Sequence, residues 1–204
     1  MTKRPPHNDT DESLVKLTLS GDRYAFGRII KNTEGLVAQI IFNMVKIPSD
    51  RKDIVQDVYL KVFKNLAGFK FKSKLSTWVG QITYNTCLHY IRKKKLVLIE
   101  TLKDNEEEIL DSISQLEYLQ NNSTYSSTEK ILQAKELSSI LQFEVEKLSP
   151  VYRTLIKLYH NEELSYSEVS QITSLPEGTI KSYLSRARRV LQRNLLSTYK
   201  RDDL

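Results

Sequence analysis

The chain of 204 residues contains few of the residues that interrupt or cross-link a fold: one cysteine, six glycines, five prolines and three histidines. The single Cys87 excludes an intramolecular disulfide and a thiolate-rich zinc site, and the scattered histidines have no ligand spacing. No apolar run approaches the roughly 18 residues of a membrane-spanning helix, and residues 1–11 lack the apolar core of a signal peptide. We therefore expect a soluble cytoplasmic protein with no membrane insertion and with no metal or other cofactor.

Groups suited to catalysis are also sparse. His89 has no carboxylate or nucleophile at helical spacing, and the chain has no glycine-rich phosphate loop. Asp53 with Asp57 fits a solvated helix face as readily as a metal pair. We expect the protein not to be an enzyme.

The scarcity of glycine and proline, without any period-two alternation, predicts an all-α chain. Apolar residues at helical spacing predict one long helix that ends near Pro48 and a second that is capped by Ser49. A third runs into the basic residues 92–95. The first pattern consists of Phe26, Ile29, Ile30, Val37, Ile40, Ile41 and Met44, the second of Ile54, Val55, Val58 and Val62, and the third of Trp78, Val79, Ile82, Leu88 and Ile91.

An acidic segment divides the chain. Between Glu100 and Glu117 there are seven acidic residues and one lysine, and the polar run 120–128 that follows is poor material for a core. We interpret residues 98–127 as a flexible acidic linker between two small helical domains, residues 1–97 and 128–204.

A helix-turn-helix is predicted near the C-terminus. Ser165 and Glu168 form the Ser-x-x-Glu capping box that begins a short helix, and Ser174, Leu175 and Pro176 interrupt it. Pro176 occupies the expected first position of a second helix. The buried stripe of that helix is formed by Ile180, Leu184, Ala187, Leu191 and Leu195.

The second helix of this motif is strongly basic. From Gly178 to Arg201 there are seven Lys or Arg residues and no Asp or Glu, and the whole chain carries a net charge of +6. Such a bias is typical of a helix that lies in a DNA groove lined by phosphates. A merely solvated basic face is the alternative, but the capping box, the break and the basic helix occur in the order of a DNA-reading motif.

The first domain segregates charge in the same way. From Val58 to Ile99 there are nine basic residues and no acidic ones. Trp78 and Phe63 lie on apolar helix faces and are expected in the core. Phe69 and Phe71 lie in a lysine-rich loop with no obvious core role, and we expect them to stack on unpaired bases.

Four segments in this order resemble the extracytoplasmic-function (ECF) type of sigma factor of bacterial RNA polymerase. They are Gly21–Phe26, Asp53–Phe63, Trp78–Lys94 with Asn85 inside it, and a C-terminal segment made of Leu148–Pro150, Leu164–Val169 and Gly178–Arg188. The resemblance implies a transcription initiation factor that binds core RNA polymerase, recognises −35 and −10 promoter elements and promotes strand opening. Promoter DNA, both duplex and single-stranded, is then a partner, and an anti-sigma factor is a further one.

The resemblance also assigns residues to these tasks. Core polymerase is expected to bind Asp53, Gln56 and Asp57, which share one helix face by their spacing. Recognition of −10 DNA is expected at Phe69, Lys70, Phe71, Lys72, Lys74, Asn85, Arg92 and Lys93. Recognition of −35 DNA is expected at Tyr166, Thr179, Lys181, Ser182, Tyr183, Ser185, Arg186, Arg188, Arg189 and Arg193.

Two other classes of protein compete with this interpretation. A stand-alone dimeric helix-turn-helix regulator would share the C-terminal domain, but it requires a dimer seam or an effector pocket, and the sequence has neither pattern. A polymerase-binding adaptor that no longer reads DNA is disfavoured by the intact basic helix.

Overall fold

The computed structural model describes residues 10–100 and 131–198, with side chains described for residues 10–94 and 138–197. This described part contains eight α-helices and no strand, so the prediction of an all-helical chain is confirmed. The helices are α1 (Asp11–Leu19), α2 (Arg23–Met44), α3 (Pro48–Asn65), α4 (Leu75–Glu100), α5 (Ile131–Glu146), α6 (Pro150–His160), α7 (Tyr166–Thr173) and α8 (Glu177–Thr198). A 3-10 turn at Leu66–Gly68 follows α3.

The chain divides into two compact units. The first is built from α1, α2, α3 and most of α4, and the second from α5, α6, α8 and the start of α7. The predicted linker, residues 98–127, lies outside the described residues except for 98–100, which are the last three residues of α4. The domain limits at 97 and 128 stay predictions.

A single dipeptide ends α1 and begins α2. Gly21 has a φ of 97°, a backbone conformation that glycine adopts without a steric penalty, and its N–H donates back to the Thr18 carbonyl. Asp22 is the N-cap of α2, where its carboxylate accepts from the backbone N–H groups of Tyr24 and Ala25. This pair therefore sets the turn by which α1 folds back on α2.

The predicted cap of α3 is wrong. Ile47 occupies the N-cap position and Pro48 is the first helical residue, while Ser49 lies inside the helix and donates its hydroxyl to Asp50. Proline suits this first position because its missing N–H would have no partner there and its φ is already helical.

The core of the first unit lies between the apolar stripes of its helices. Its largest fully buried side chains are Leu14, Ile29, Ile40, Ile41, Met44 and Leu66. Cys87 of α4 is buried there, and burial raises the pKa of its thiol to about 12, with the nearby charge of Lys61 acting weakly in the opposite direction.

The burial of Cys87 has a direct chemical consequence. With a pKa near 12, only about one thiol in ten thousand is ionised at pH 8, and the thiolate is the reactive form. We expect the folded protein to resist a disulfide-exchange reagent at pH 8 and to react at once, with one equivalent, after denaturation in guanidinium. Rapid stoichiometric labelling of the folded chain would contradict this placement.

The second unit packs α8 against α6 and the end of α5. The predicted stripe of α8 is confirmed at Ile180, Leu184, Ala187 and Leu191, which are buried, whereas Leu195 at its end is only half-buried. Also buried in this unit are Val145 of α5, Leu148 of the turn that follows it, and Leu155 and Leu158 of α6. This arrangement fixes which faces of α8 remain at the surface.

Candidate polymerase and nucleic-acid surfaces

Helix α3 presents one polar face to solvent. Its buried side carries Ile54, Val58 and Val62, and at 100° per residue the opposite side carries Gln56, with Asp53 beside it and Asp57 on the adjoining flank. All three of these residues are exposed, so the structure places the predicted polymerase contacts on a shared, accessible surface.

Two apolar side chains extend this face, and sequence reasoning missed both. Leu60 is 58% exposed and lies one turn beyond Asp57, in line with Asp53. Phe63 was expected in the core but is 55% exposed, and its ring meets Phe26 edge-on at 5.1 Å between ring centroids. The exposure of Leu60 could have been predicted from the sequence, since this residue falls outside the buried stripe of α3.

The lysine-rich loop at 69–74 holds its two phenylalanines differently. The ring of Phe71 is 47% exposed, and its φ of 55° is an unusual value for an aromatic residue. Phe69 is only 7% exposed and lies 5.1 Å from the Trp78 ring and 4.8 Å from the Phe71 ring. The expectation that Phe69 has no core role is therefore wrong, because its ring fills the space between Trp78 and Phe71.

Hydrogen bonds fix both ends of this loop. The N–H of Phe69 donates to the Leu66 carbonyl at 3.1 Å. The N–H of Leu75, the first residue of α4, donates to the carboxylate of Asp11 in α1 at 2.8 Å. Asp11 thereby caps a helix that is distant in sequence, and its charge suits the positive end of the helix dipole. Lys70, Lys72 and Lys74 lie between these anchors and are exposed.

Helix α4 continues this surface along one face. Trp78, Asn85 and Arg92 recur at seven-residue spacing, which places them in line along the helix axis. Asn85 and Arg92 are exposed, and Lys93 is exposed next to them. The contact of Phe69 with Trp78 therefore joins the loop to the start of this α4 face, and Asn85 and then Arg92 lie further along the same face.

The start of the helix-turn-helix forms as predicted. The hydroxyl of Ser165 accepts from the Glu168 N–H at 3.2 Å, and the Glu168 carboxylate accepts from the Ser165 N–H at 3.0 Å, which is a reciprocal capping box. Pro176 was expected as the first residue of α8, but it occupies the N-cap position, where its carbonyl accepts from the Ile180 N–H.

The surface of α8 has three sides. Directly opposite the buried stripe lie Ser182 and Arg189, with Ser185 and Arg193 close by, and all four are exposed. Lys181 and Arg188 lie on one flank. The other flank carries Thr179 and Tyr183, both half-buried, and Arg186 lies exposed between that flank and the outer side.

Two of these flanking residues contact tyrosines of the preceding helices. Tyr183 packs edge-on against Tyr152 of α6, with 5.6 Å between ring centroids, so part of its ring is used in packing. Lys181 lies with its ammonium 5.2 Å from the ring centroid of Tyr166, the first residue of α7. Tyr166 therefore belongs to the same surface as the basic helix.

Within residues 10–100 and 131–198, no helix is long and apolar enough to cross a membrane. Within those same residues, His, Cys, Asp and Glu do not gather in groups of three or more that could hold a metal ion.

Comparisons with known proteins match both units. The family profile described as Sigma-70 region 2 matches residues 29–97, and the profile described as Sigma-70, region 4 matches residues 138–191. Together these matches cover more than half of the chain.

Characterised relatives match along most of their length. The ECF RNA polymerase sigma factor SigW of Bacillus subtilis is 29% identical over 181 residues, which cover 89% of this chain and 94% of that protein. The ECF RNA polymerase sigma-E factor of Escherichia coli strain K12 is 28% identical over 187 residues, covering 89% and 92%.

Solved structures share the fold. CnrH, in complex with the cytosolic domain of CnrY, superposes with a TM-score of 0.59 at 19% identity, covering 93% of this chain and 99% of that one. The sigma factor RpoE of Bartonella quintana, in complex with the anti-sigma factor NepR, gives a TM-score of 0.55 at 20% identity, covering 85% and 97%.

Proposed function

The chain belongs to the ECF sigma factors of the sigma-70 family, and from this premise we propose which of its surfaces binds core RNA polymerase and which bind promoter DNA. The protein binds core RNA polymerase, directs it to promoters through −35 and −10 elements and promotes strand opening. The observation that carries the proposal is the pairing of a basic helix-turn-helix with a second basic surface that has an exposed aromatic loop. A reader of duplex DNA needs only the first of these surfaces, whereas a factor that opens promoters needs both.

We assign the binding of core polymerase to the exposed face of α3. Asp53, Gln56 and Asp57 offer acidic and amide groups that complement a basic helical element, and Leu60 adds apolar area to the middle of the face. Polar groups around one apolar anchor form a common arrangement at protein interfaces. The Asp57 carboxylate is paired with Lys61 at 2.7 Å in the free chain, so one exposed ion pair rearranges on binding.

Capture of the −10 element is assigned to the loop 69–74 together with α4. Phe71 is the exposed stacking surface, and Phe69 supports it from the core side. Asn85 can both donate to and accept from a base edge, while the lysines of the loop, with Arg92 and Lys93, neutralise phosphates. An unpaired base held in this way cannot return to the duplex, which favours strand separation.

Recognition of the −35 element is assigned to α8. Its outer side, with Ser182, Ser185 and Arg186, enters the major groove, and a guanine contact by Arg186 would contribute about 1–3 kcal/mol of discrimination. Arg189 and Arg193 bind phosphate. Lys181 lies over Tyr166 on the flank of the helix, and for this reason we assign it to the DNA backbone and not to a base.

Two alanine variants should separate base reading from backbone binding. Arg186→Ala is expected to relax sequence preference at one position of the −35 motif. Arg193→Ala is expected to weaken the binding of all DNA sequences equally. It should also reduce the slope of log affinity against log salt concentration by about one unit. Selection of binding sites from random DNA, with each variant in complex with core polymerase, measures both effects. An unaltered −35 motif for Arg186→Ala would overturn the assignment of that residue.

The proposed place of action is the cytoplasm, where a bacterial polymerase meets the chromosome. An anti-sigma protein is a further proposed partner, by likeness to the Bartonella quintana factor, whose solved complex contains one.

The overall function is tested by reconstitution. The purified chain should be retained by core polymerase in a pull-down, and the complex should give run-off transcripts from promoters that core polymerase alone does not use. A stand-alone regulator would bind its DNA site without core polymerase and would be neither retained by it nor active in the run-off reaction. That result would reject the proposed function.

A further inference from the structure

A cluster of aromatic and basic side chains lies at the C-terminal end of α6, beside the flank of α8. Tyr159 stacks on Tyr166 with 4.7 Å between ring centroids and 23° between ring planes. His160 meets Tyr159 edge-on at 4.9 Å. Neither Tyr159 nor His160 takes part in the functions assigned above.

The histidine makes a directed contact with the basic helix. The Nη2 atom of Arg188 lies 3.2 Å from Nε2 of His160. Because a guanidinium has only donors, His160 must accept this hydrogen bond through an unprotonated Nε2, and its proton must be on Nδ1. Burial, and then the charge of Arg188, lowers the pKa of His160, which favours the neutral form that the geometry requires.

The tyrosine pair supports both cations of the flank. The guanidinium carbon of Arg188 lies 5.9 Å from the ring centroid of Tyr159, and the Lys181 ammonium lies 5.2 Å from that of Tyr166. Lys181 and Arg188 are seven residues apart on one side of α8, which separates them by about 10 Å along the helix axis. The stacked rings therefore hold two positive charges in a row beside the face that enters the groove.

We propose that Tyr159 and His160 are positioning residues that orient Arg188 towards a phosphodiester of the duplex backbone. The inference rests on the proposed function, since it names how the −35 surface is built. An arginine side chain has several rotatable bonds, and fixing them before binding removes an entropic cost that DNA would otherwise have to offset. His160 uses one N–H of the guanidinium, and the remaining N–H groups are left for phosphate oxygens.

The ligand class follows from the chemistry of the cluster. Two cations held beside aromatic rings suit a phosphate, and no acidic residue occurs from Gly178 to Arg201. The cluster borders the recognition helix, where a duplex that occupies the groove places its backbone.

The test compares His160→Ala and His160→Gln, in complex with core polymerase, on a duplex that the wild-type complex selects from random DNA. Alanine removes the acceptor and is expected to weaken duplex binding about three- to tenfold. Glutamine supplies a neutral acceptor oxygen and is expected to restore most of the wild-type affinity. A purely packing role for His160 predicts no such rescue. Equal or tighter binding by His160→Ala, or no rescue by glutamine, overturns the proposal.

A double-mutant cycle tests whether His160 acts through Arg188. The double variant His160→Ala, Arg188→Ala should bind no more weakly than Arg188→Ala alone, because the histidine then has nothing to orient. Additive losses would mean that His160 contacts DNA independently, which contradicts the proposal. For Tyr159, replacement by phenylalanine should preserve binding and replacement by leucine should weaken it, and equal affinities for these two variants would exclude a role for its ring.

Different results would reject the proposed function and the positioning role of His160. If the wild-type complex selects no duplex sequence, the proposed function fails. If the wild-type complex selects a −35 motif and His160→Ala binds it with unchanged affinity, only the positioning role fails. Thermal melting of each variant establishes that the comparison is made on folded protein.

Discussion

A chain that carries Phe71→Ala and Asn85→Ala is expected to bind core polymerase and −35 duplex DNA normally and to fail at promoter opening. Phe71 is half-exposed in the middle of the loop that is anchored at both ends, and Asn85 is exposed on the α4 face that runs from Trp78. Stacking on one base contributes about 1–3 kcal/mol, so we expect roughly five- to hundredfold fewer open complexes.

Permanganate footprinting of unpaired thymines on a linear duplex promoter measures this loss. A template with a pre-melted bubble should restore part of the transcription, since capture is then no longer needed to separate the strands. Phe42→Ala is a matched control, because Phe42 is also an exposed phenylalanine of the first unit, 56% accessible on α2. Normal opening by the double variant would reject the assignment of −10 capture to the loop 69–74 and α4.

Reversing both charges in Asp53→Lys, Asp57→Lys is expected to weaken the affinity for core polymerase about ten- to hundredfold. Both side chains are exposed and the ion pair of Asp57 with Lys61 lies at the surface, so the midpoint of thermal unfolding should change little. Leu60→Ala should weaken the same complex with no change in charge.

The reversal needs a control for net charge alone. Glu12→Lys, Glu34→Lys changes the charge by the same amount at exposed positions of α1 and α2. Titration of labelled core polymerase should separate the two double variants clearly. Equal affinities for core polymerase would mean that general electrostatics accounts for binding and that α3 has no specific contact.

Features set by neighbouring residues could be predicted from the sequence. The capping box of Ser165 and Glu168 and the buried stripe of α8 depend on spacings of three and four residues, and both form as predicted. The same reasoning failed at Ser49, because proline at the preceding position already determines where α3 begins.

Features set by contacts between distant segments could not be predicted. Phe69 and Phe71 are two residues apart in one loop, and periodicity has no meaning there, so only the packing on Trp78 distinguishes the buried ring from the exposed one. The stacking of Tyr159 on Tyr166 and the hydrogen bond of His160 to Arg188 likewise depend on how α6, α7 and α8 meet.

The hydrogen bond from Leu75 to Asp11 joins residues that are 64 positions apart in the sequence. Closing so long a loop costs chain entropy, which only the docking of α1 against its neighbours offsets. During synthesis α1 leaves the ribosome before α4 does. The Asp11 carboxylate can therefore accept the Leu75 N–H only after α4 has been made. The aromatic loop acquires its second fixed end only when the start of α4 docks on α1, so a nascent chain gains the surface proposed for −10 capture in the same step that completes the first unit.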